Sequence, residues 1–164
     1  FCLLTYYFST LLLMFITAHI MMPVALANHL SLQILKETKK ALFTWQELAF
    51  IGLCGALPDL LNPHLYLVER QTSWSHSLWG MGIWMMLCLA LLAVSKTKPF
   101  VTFFMLAYPL HLFCDAISGG IPFLYPSAEM YGGEWVMGPI NWVIIDIGLF
   151  LWLYGQSWYK RYRM

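Results

Sequence analysis

Long apolar runs separated by short polar clusters set the pattern of the chain. Residues 3–35 are apolar for longer than one membrane span needs, with Pro23 and Asn28 as interruptions. About 20 apolar residues cross a bilayer. Dividing this stretch near His19 therefore predicts two short or tilted helices, 2–17 and 18–36, with one kinked helix as the alternative. The second closes on Lys36-Glu37-Thr38-Lys39-Lys40. A third helix over 44–58 stops at Pro58-Asp59, and residues 60–74 read as a polar loop. A fourth spans 75–95, a fifth 100–117 and a sixth 140–159. The segment between the last two, 118–139, holds five glycines and three prolines. It is too broken to be helical throughout and reads as a lid or re-entrant loop. The expected fold is one all-α domain, 1–164, a polytopic transmembrane bundle of about five to six helices.

Composition agrees with that class. Sixty per cent of the 164 residues are hydrophobic and 10% are charged, and mean hydropathy is +0.67. These values describe an integral membrane protein rather than a water-soluble domain. Without basic runs interleaved with exposed aromatics, there is no nucleic-acid footprint. Cys2, Cys54, Cys88 and Cys114 sit in apolar segments without C-x-x-C spacing, so they read as small buried hydrophobes. Phe1 to Ile16 has an apolar core but no charged leader or small-x-small site, so it reads as a retained membrane helix. Trp45, Trp74, Trp135 and Trp158 fall near helix ends, where indoles anchor at the interface. The spacing Gly52-x-x-Gly55 suits close helix packing against partner subunits.

The ionisable residues inside the apolar runs carry the candidate chemistry. His111 and Asp115 lie four residues apart, one helical turn on one face. Such a pair in a bilayer is either metal-binding or acid/base chemistry, or a hydrogen bond that ties helices together. Alternating helix directions brings Asp59, His76, His111 and Asp115 to one end, joined by His19 and, some two turns into the last helix, Asp146. Eight of the nine basic residues fall at the other end: Lys36, Lys39, Lys40, Lys96, Lys98, Lys160, Arg161 and Arg163, with Arg70 the exception. The positive-inside rule makes the basic loops and the C-terminus cytoplasmic and turns the polar end toward the periplasm or exterior.

Three imidazoles (His19, His76, His111) and two carboxylates (Asp59, Asp115) form the donor set of a divalent site, Zn²⁺ first and Mn²⁺ or Fe²⁺ as alternatives. A catalytic site of this kind keeps one position for water, whose pKa falls toward ~7. Asp146 is a candidate catalytic residue, orienting that water or a ligating histidine; a helix-packing hydrogen bond is its other reading. His29 reads as structural and His64 as a spare ligand in the polar loop. A transporter would string its ionisable groups along the midplane. Here they gather at one face.

Thr17-Ala18-His19, Leu57-Pro58-Asp59, Trp74-Ser75-His76-Ser77-Leu78, and His111-x-x-x-Asp115 followed by Ile121-Pro122-Phe123-Leu124-Tyr125-Pro126 resemble the membrane-bound metal-dependent hydrolase family of prokaryotic inner membranes. The likeness covers about 17–150, leaving 1–16 as an N-terminal extension helix and 160–164 as a basic tail. Ile140 to Asp146 resembles that family's last helix, which carries an acidic residue. The resemblance implies a metal-dependent hydrolase of the inner membrane with ligands at His19, Asp59, His76, His111 and Asp115. A more distant likeness to zinc-dependent phospholipases C implies a lipid-like or phosphoester substrate at the outer leaflet, with Arg70 meeting phosphate and the 118–139 loop, bearing Glu129 and Glu134, covering the head group. The chain departs from the family pattern at Leu61 and Asn62, where a second aspartate and a histidine are usual, and at Gln71, Thr72 and Ser73, where H-R-G is usual. Those losses reduce a two-metal site to one metal or remove turnover. The competing expectation is accordingly a non-catalytic assembly subunit of a membrane complex.

Overall fold

A computed structural model describes residues 2–62, 73–118, 120–127, 129, 131–132 and 139–163, with side chains from Thr17 onward apart from those of 118, 139, 140 and 163. Six α-helices are found among them: α1 Cys2–Thr38, α2 Trp45–Gly55, α3 Leu57–Leu61, α4 Leu78–Val94, α5 Lys98–Ser118 and α6 Pro139–Arg163. A 3₁₀ turn, Trp74–His76, precedes α4. The one β feature among the described residues is an isolated antiparallel bridge between Ile121 and Tyr131.

The expected division at His19 does not occur, because α1 runs unbroken through Pro23. Proline inside a helix leaves the carbonyl four residues earlier without its donor, here that of His19. Gly55 packs against that carbonyl so closely that an added Cβ would lie 2.2 Å from it. The helix keeps its proline because a neighbouring helix fills the gap. Beyond Thr38 the chain turns with Lys39 at φ 60°, the left-handed conformation that ends many helices. Ser31 Oγ accepts from the amides of Leu42 and Phe43, and a Thr44–Glu47 capping box starts α2.

Helix α2 ends at Gly55 rather than at 58. Its 11 residues rise about 17 Å, roughly half a bilayer core. Among the described residues, Thr17–Thr38 and Lys98–Ile117 are long and apolar enough to cross a membrane, and Leu78–Val94 is a shorter apolar helix. The last helix extends through the basic tail to Arg163.

Paired contacts give the helix directions. Thr17 meets Asp146, Asn28 meets Gln156 and Lys36 meets Tyr159, so α1 and α6 run parallel. Helix α2 returns antiparallel to α1, from Ser31 at one end to His19 at the other. Trp84 of α4 packs on Phe104 and Tyr108 of α5, and Gly80 lies against the Tyr108 hydroxyl. The C-terminal ends of α1 and α6 and the α4–α5 turn thus share one end, which carries the lysines. The other end carries His19, Asp59, His76, His111 and Asp115, as alternating directions predict.

Ala18 and Ala25 are buried with Trp142 and Leu149, and Ala27 and Ala107 with Phe43 and Ile51, whereas Met86 (72%) and Val94 (80%) are exposed. Lipid tails supply no hydrophobic drive between helices, so small residues permit backbone contact and large apolar ones face outward. Gly52 and Gly55 serve this purpose within the chain, against Ile20, Val24, Pro23 and the His19 carbonyl of α1, and not against a partner subunit as their spacing first indicates. Cys54, Cys88 and Cys114 are free and buried, as expected.

The Gly55 contact predicts that Gly55→Ala forces α1 and α2 apart and costs about 1–3 kcal/mol, the usual range for overpacking. Gly148→Ala, inside α6 with nothing within 4 Å of the added Cβ, should instead stabilise by about 0.4–1 kcal/mol. Thermal unfolding of both variants in detergent measures the difference.

Candidate metal centre

Four elements deliver the polar cluster. His19 lies in α1, Asp59 in the short α3, His76 in the 3₁₀ turn, and His111 and Asp115 one turn apart in α5. Pro58 sits in the first turn of α3, where its missing N–H costs nothing. His19, His76, His111 and Asp115 are at most 1% exposed, while the Asp59 side chain is 18% exposed and is the open side of the cluster.

The donor atoms converge. His76 Nε2 lies 3.1 Å from Asp59 Oδ1, 3.4 Å from Asp115 Oδ2 and 3.3 Å from His111 Nε2. His111 Nε2 lies 3.0 Å from Asp115 Oδ2 and 3.7 Å from Asp59 Oδ1. Four ligands at about 2.0–2.1 Å in a tetrahedron have edges near ~3.3 Å, so these separations match that figure. His19 joins on the far side, with Nε2 3.3 Å from Asp115 Oδ1 and its ring 4.0 Å from that of His111. Within the sets His19–His111–Asp115 and Asp59–His76–His111, all donor atoms fall within 4.8 Å of one another.

Hydrogen bonds behind the rings decide which nitrogens face inward. His111 Nδ1 is 2.6 Å from the Gly55 carbonyl, which can only accept, so Nδ1 carries the proton and Nε2 presents a lone pair. His76 Nδ1 lies 3.0 Å from Ser73 Oγ and 3.2 Å from Ser75 Oγ. Ser75 gives its own proton to the Pro58 carbonyl at 2.9 Å, so its oxygen is placed to accept from His76. The Tyr108 hydroxyl donates to the Ser75 carbonyl at 2.5 Å and fixes that turn. These are the partners that set tautomer and ring orientation in metal-binding histidines.

With His76 donating from Nδ1 to Ser75, two Nε2 lone pairs and two carboxylates face one another in a largely buried cluster, an arrangement that repels itself unless positive charge lies between them. A divalent cation answers that need. A second proton on the imidazoles also answers it, their Nε2–H groups then donating to Asp59 and Asp115. In that protonated arrangement burial pushes the Asp59 carboxyl up, but the His76 hydrogen bond and the His111 charge hold it below its ordinary value. His19 Nε2 faces Asp115 Oδ1 at 3.3 Å and is in reach of either arrangement. The donor types and their separations fit a divalent ion.

Asp146 stands apart from both donor sets. It accepts from Thr17 Oγ1 at 2.8 Å, so it acts two residues from His19 and ties α6 to α1. His29 contacts Gln33 and Trp152 near the opposite end. His64, Arg70, Gln71, Thr72, Trp135 and Glu134 lie outside the described residues. Trp45, Trp74 and Trp158 are exposed at helix ends. In the 118–139 loop, the Leu78 amide donates to the Phe123 carbonyl and Gly132 packs on the Ala116 carbonyl, so this loop is fastened beside the site. Glu129 is exposed and accepts from Tyr131. Sequence reasoning missed Ser75, Tyr108 and the Gly55 carbonyl as supports. Serine one residue before His76 and glycine before the Asp59 turn were the available signals.

A family model described as "YdjM inner membrane protein" matches residues 14–163. The chain belongs to that family. As a YdjM family member it is a bacterial inner membrane protein, in keeping with its apolar helices. No curated protein and no solved structure matches the chain.

Elemental analysis of this family member, purified without chelator, should find about one equivalent of a divalent metal. His111→Ala should lower occupancy by more than the ~10–100-fold typical of losing an outer partner, and Ser75→Ala by about that amount. Occupancy should also fall as the pH is lowered, because ligation requires neutral rings.

Proposed function

We propose that the chain is a membrane-embedded metal-dependent hydrolase acting on a lipid or other amphiphilic phosphoester at the outer leaflet. The observation that carries this reading is the convergence of three buried imidazoles and two carboxylates, with the two inward-facing rings of His76 and His111 held from behind. His19, Asp59, His76, His111 and Asp115 would hold the metal, Zn²⁺ by donor type with Mn²⁺ or Fe²⁺ as alternatives. When bound, the ion supplies Lewis acidity and a water acidic enough to act near neutral pH.

The chain's own residues supply position and access. The Gly55 carbonyl and the serines keep His111 and His76 from rotating, and Tyr108 holds the Ser75 backbone against them. Asp59, the ligand open to the outside, is followed by exposed Leu60 and Leu61, and exposed Trp74 precedes His76 by two residues. An apolar rim of this kind admits an amphiphile from the membrane while its polar head reaches the carboxylate. Asp146 and Thr17 fix the middle of α1 two residues before His19.

Multi-pass insertion with the basic end cytoplasmic belongs to the same reading, because the lysines gather at the end away from the cluster. One observation favours the second reading, a catalytically reduced subunit. Leu61, standing where the resembled family carries a second aspartate, is apolar and about half exposed.

Protein reconstituted in nanodiscs should cleave a phosphoester lipid and lose the activity with EDTA. His76→Ala and Asp115→Asn should each lower kcat by more than the ~10–100-fold of an outer-partner loss. Absence of bound metal, together with unaltered cellular function of His111→Ala, would eliminate the enzyme in favour of the subunit. For orientation, a membrane-impermeant thiol reagent on intact cells should label Glu129→Cys and spare Lys40→Cys in a Cys2→Ser background; the reverse pattern would overturn the assigned direction.

A further inference from the structure

At the basic end, away from the metal centre, α1 and α6 leave a cleft of about 360 Å³ between them. Its walls are apolar, formed by Leu32, Leu151 and Trp152, and its rim is polar, formed by His29, Gln33, Lys36 and Tyr159. The floor is closed by Gln156, which accepts from Asn28 and donates to the Ala25 carbonyl. Lys36 Nζ is held 4.6 Å above the Tyr159 ring, at the mouth.

Two features specify the occupant. The cleft occupies the last three turns of the apolar stretch Thr17–Thr38, the depth at which acyl chains give way to head groups. Its mouth carries Lys36, and the chain just beyond it adds Lys39, Lys40, Lys160 and Arg161 against the single acid Glu37. An apolar slot under a cationic rim, between two helices, complements a phospholipid with a net negative head group.

We propose that the α1–α6 cleft holds one anionic phospholipid of the leaflet at the basic end, with its phosphate at Lys36 and Tyr159 and an acyl chain along Leu32, Leu151 and Trp152. The lipid would brace the parallel α1–α6 pair, the same pair that carries His19 and Asp146 at its other end. This assignment is independent of the metal centre and of any hydrolytic activity.

Gly155 makes the test direct. It lines the cleft, and nothing lies within 4 Å of a Cβ added there, so Gly155→Leu adds apolar volume at the slot from a position with room for its Cβ. Full-length protein, partly delipidated in detergent, is titrated with phosphatidylglycerol and with phosphatidylcholine, and adducts are counted by native mass spectrometry. One phosphatidylglycerol should bind per chain in preference to phosphatidylcholine. Lys36→Gln should weaken it roughly fivefold, the effect of one lysine near an anionic surface, and Gly155→Leu should abolish it. Glycerol 3-phosphate should not compete, since it lacks the acyl chain. Equal binding of the two lipids, unchanged binding by Gly155→Leu, or full displacement by glycerol 3-phosphate would each overturn the proposal. Lys36 is exposed, so its variant folds normally and keeps the experiment decisive if Gly155→Leu does not.

Discussion

His111 stands where packing and chemistry impose a single geometry. Its Nδ1–H is given to the Gly55 carbonyl, and Gly55 is in turn pressed against the carbonyl that Pro23 frees at His19. A close backbone approach in the α1–α2 seam therefore aims one imidazole and lies against the backbone of a second. A larger residue at 55 would move the ring and the helix together. The same linkage runs through Tyr108, whose hydroxyl fixes the turn that presents His76. Close packing of the helices and the aim of the inward-facing donors are thus linked through the same contacts.

The surrounding bundle explains how so polar a centre is kept. Small residues on α1, α2 and α5 bring backbones close, and bulky apolar side chains are displaced to the outside, where lipid is their solvent. The interior then holds the histidines and aspartates beside apolar clusters that include Leu112, Leu149 and Ile51. Parallel α1 and α6 extend this arrangement along their length, with the Thr17–Asp146 pair near the centre and the Asn28–Gln156 pair deeper. The two ends consequently carry different chemistry, acidic and imidazole-rich at one and cationic at the other.

The amino-acid order alone indicated an all-helical membrane protein, most of its helical segments, and the gathering of His19, Asp59, His76, His111 and Asp115 away from the lysines. Apolar length and polar punctuation are local properties, and alternation of direction follows from connecting helices by short turns. It also picked out His19, Asp59, His76, His111 and Asp115, since an ionisable side chain in an apolar run is costly enough to stand out. The YdjM family match agrees with the membrane assignment.

Only the tertiary structure decided whether α1 breaks at its proline, because that depends on Gly55 arriving from another helix to cover the freed carbonyl. It likewise decided that Gly52 and Gly55 pack within the chain, that α2 stops short of a full span, and that Asp146 hydrogen-bonds Thr17 while the other two carboxylates enter the cluster. The tautomers of His76 and His111 were beyond any local pattern. They are set by a carbonyl and two hydroxyls supplied across the fold, and a hydrogen bond between residues distant in the chain leaves no periodicity in the sequence.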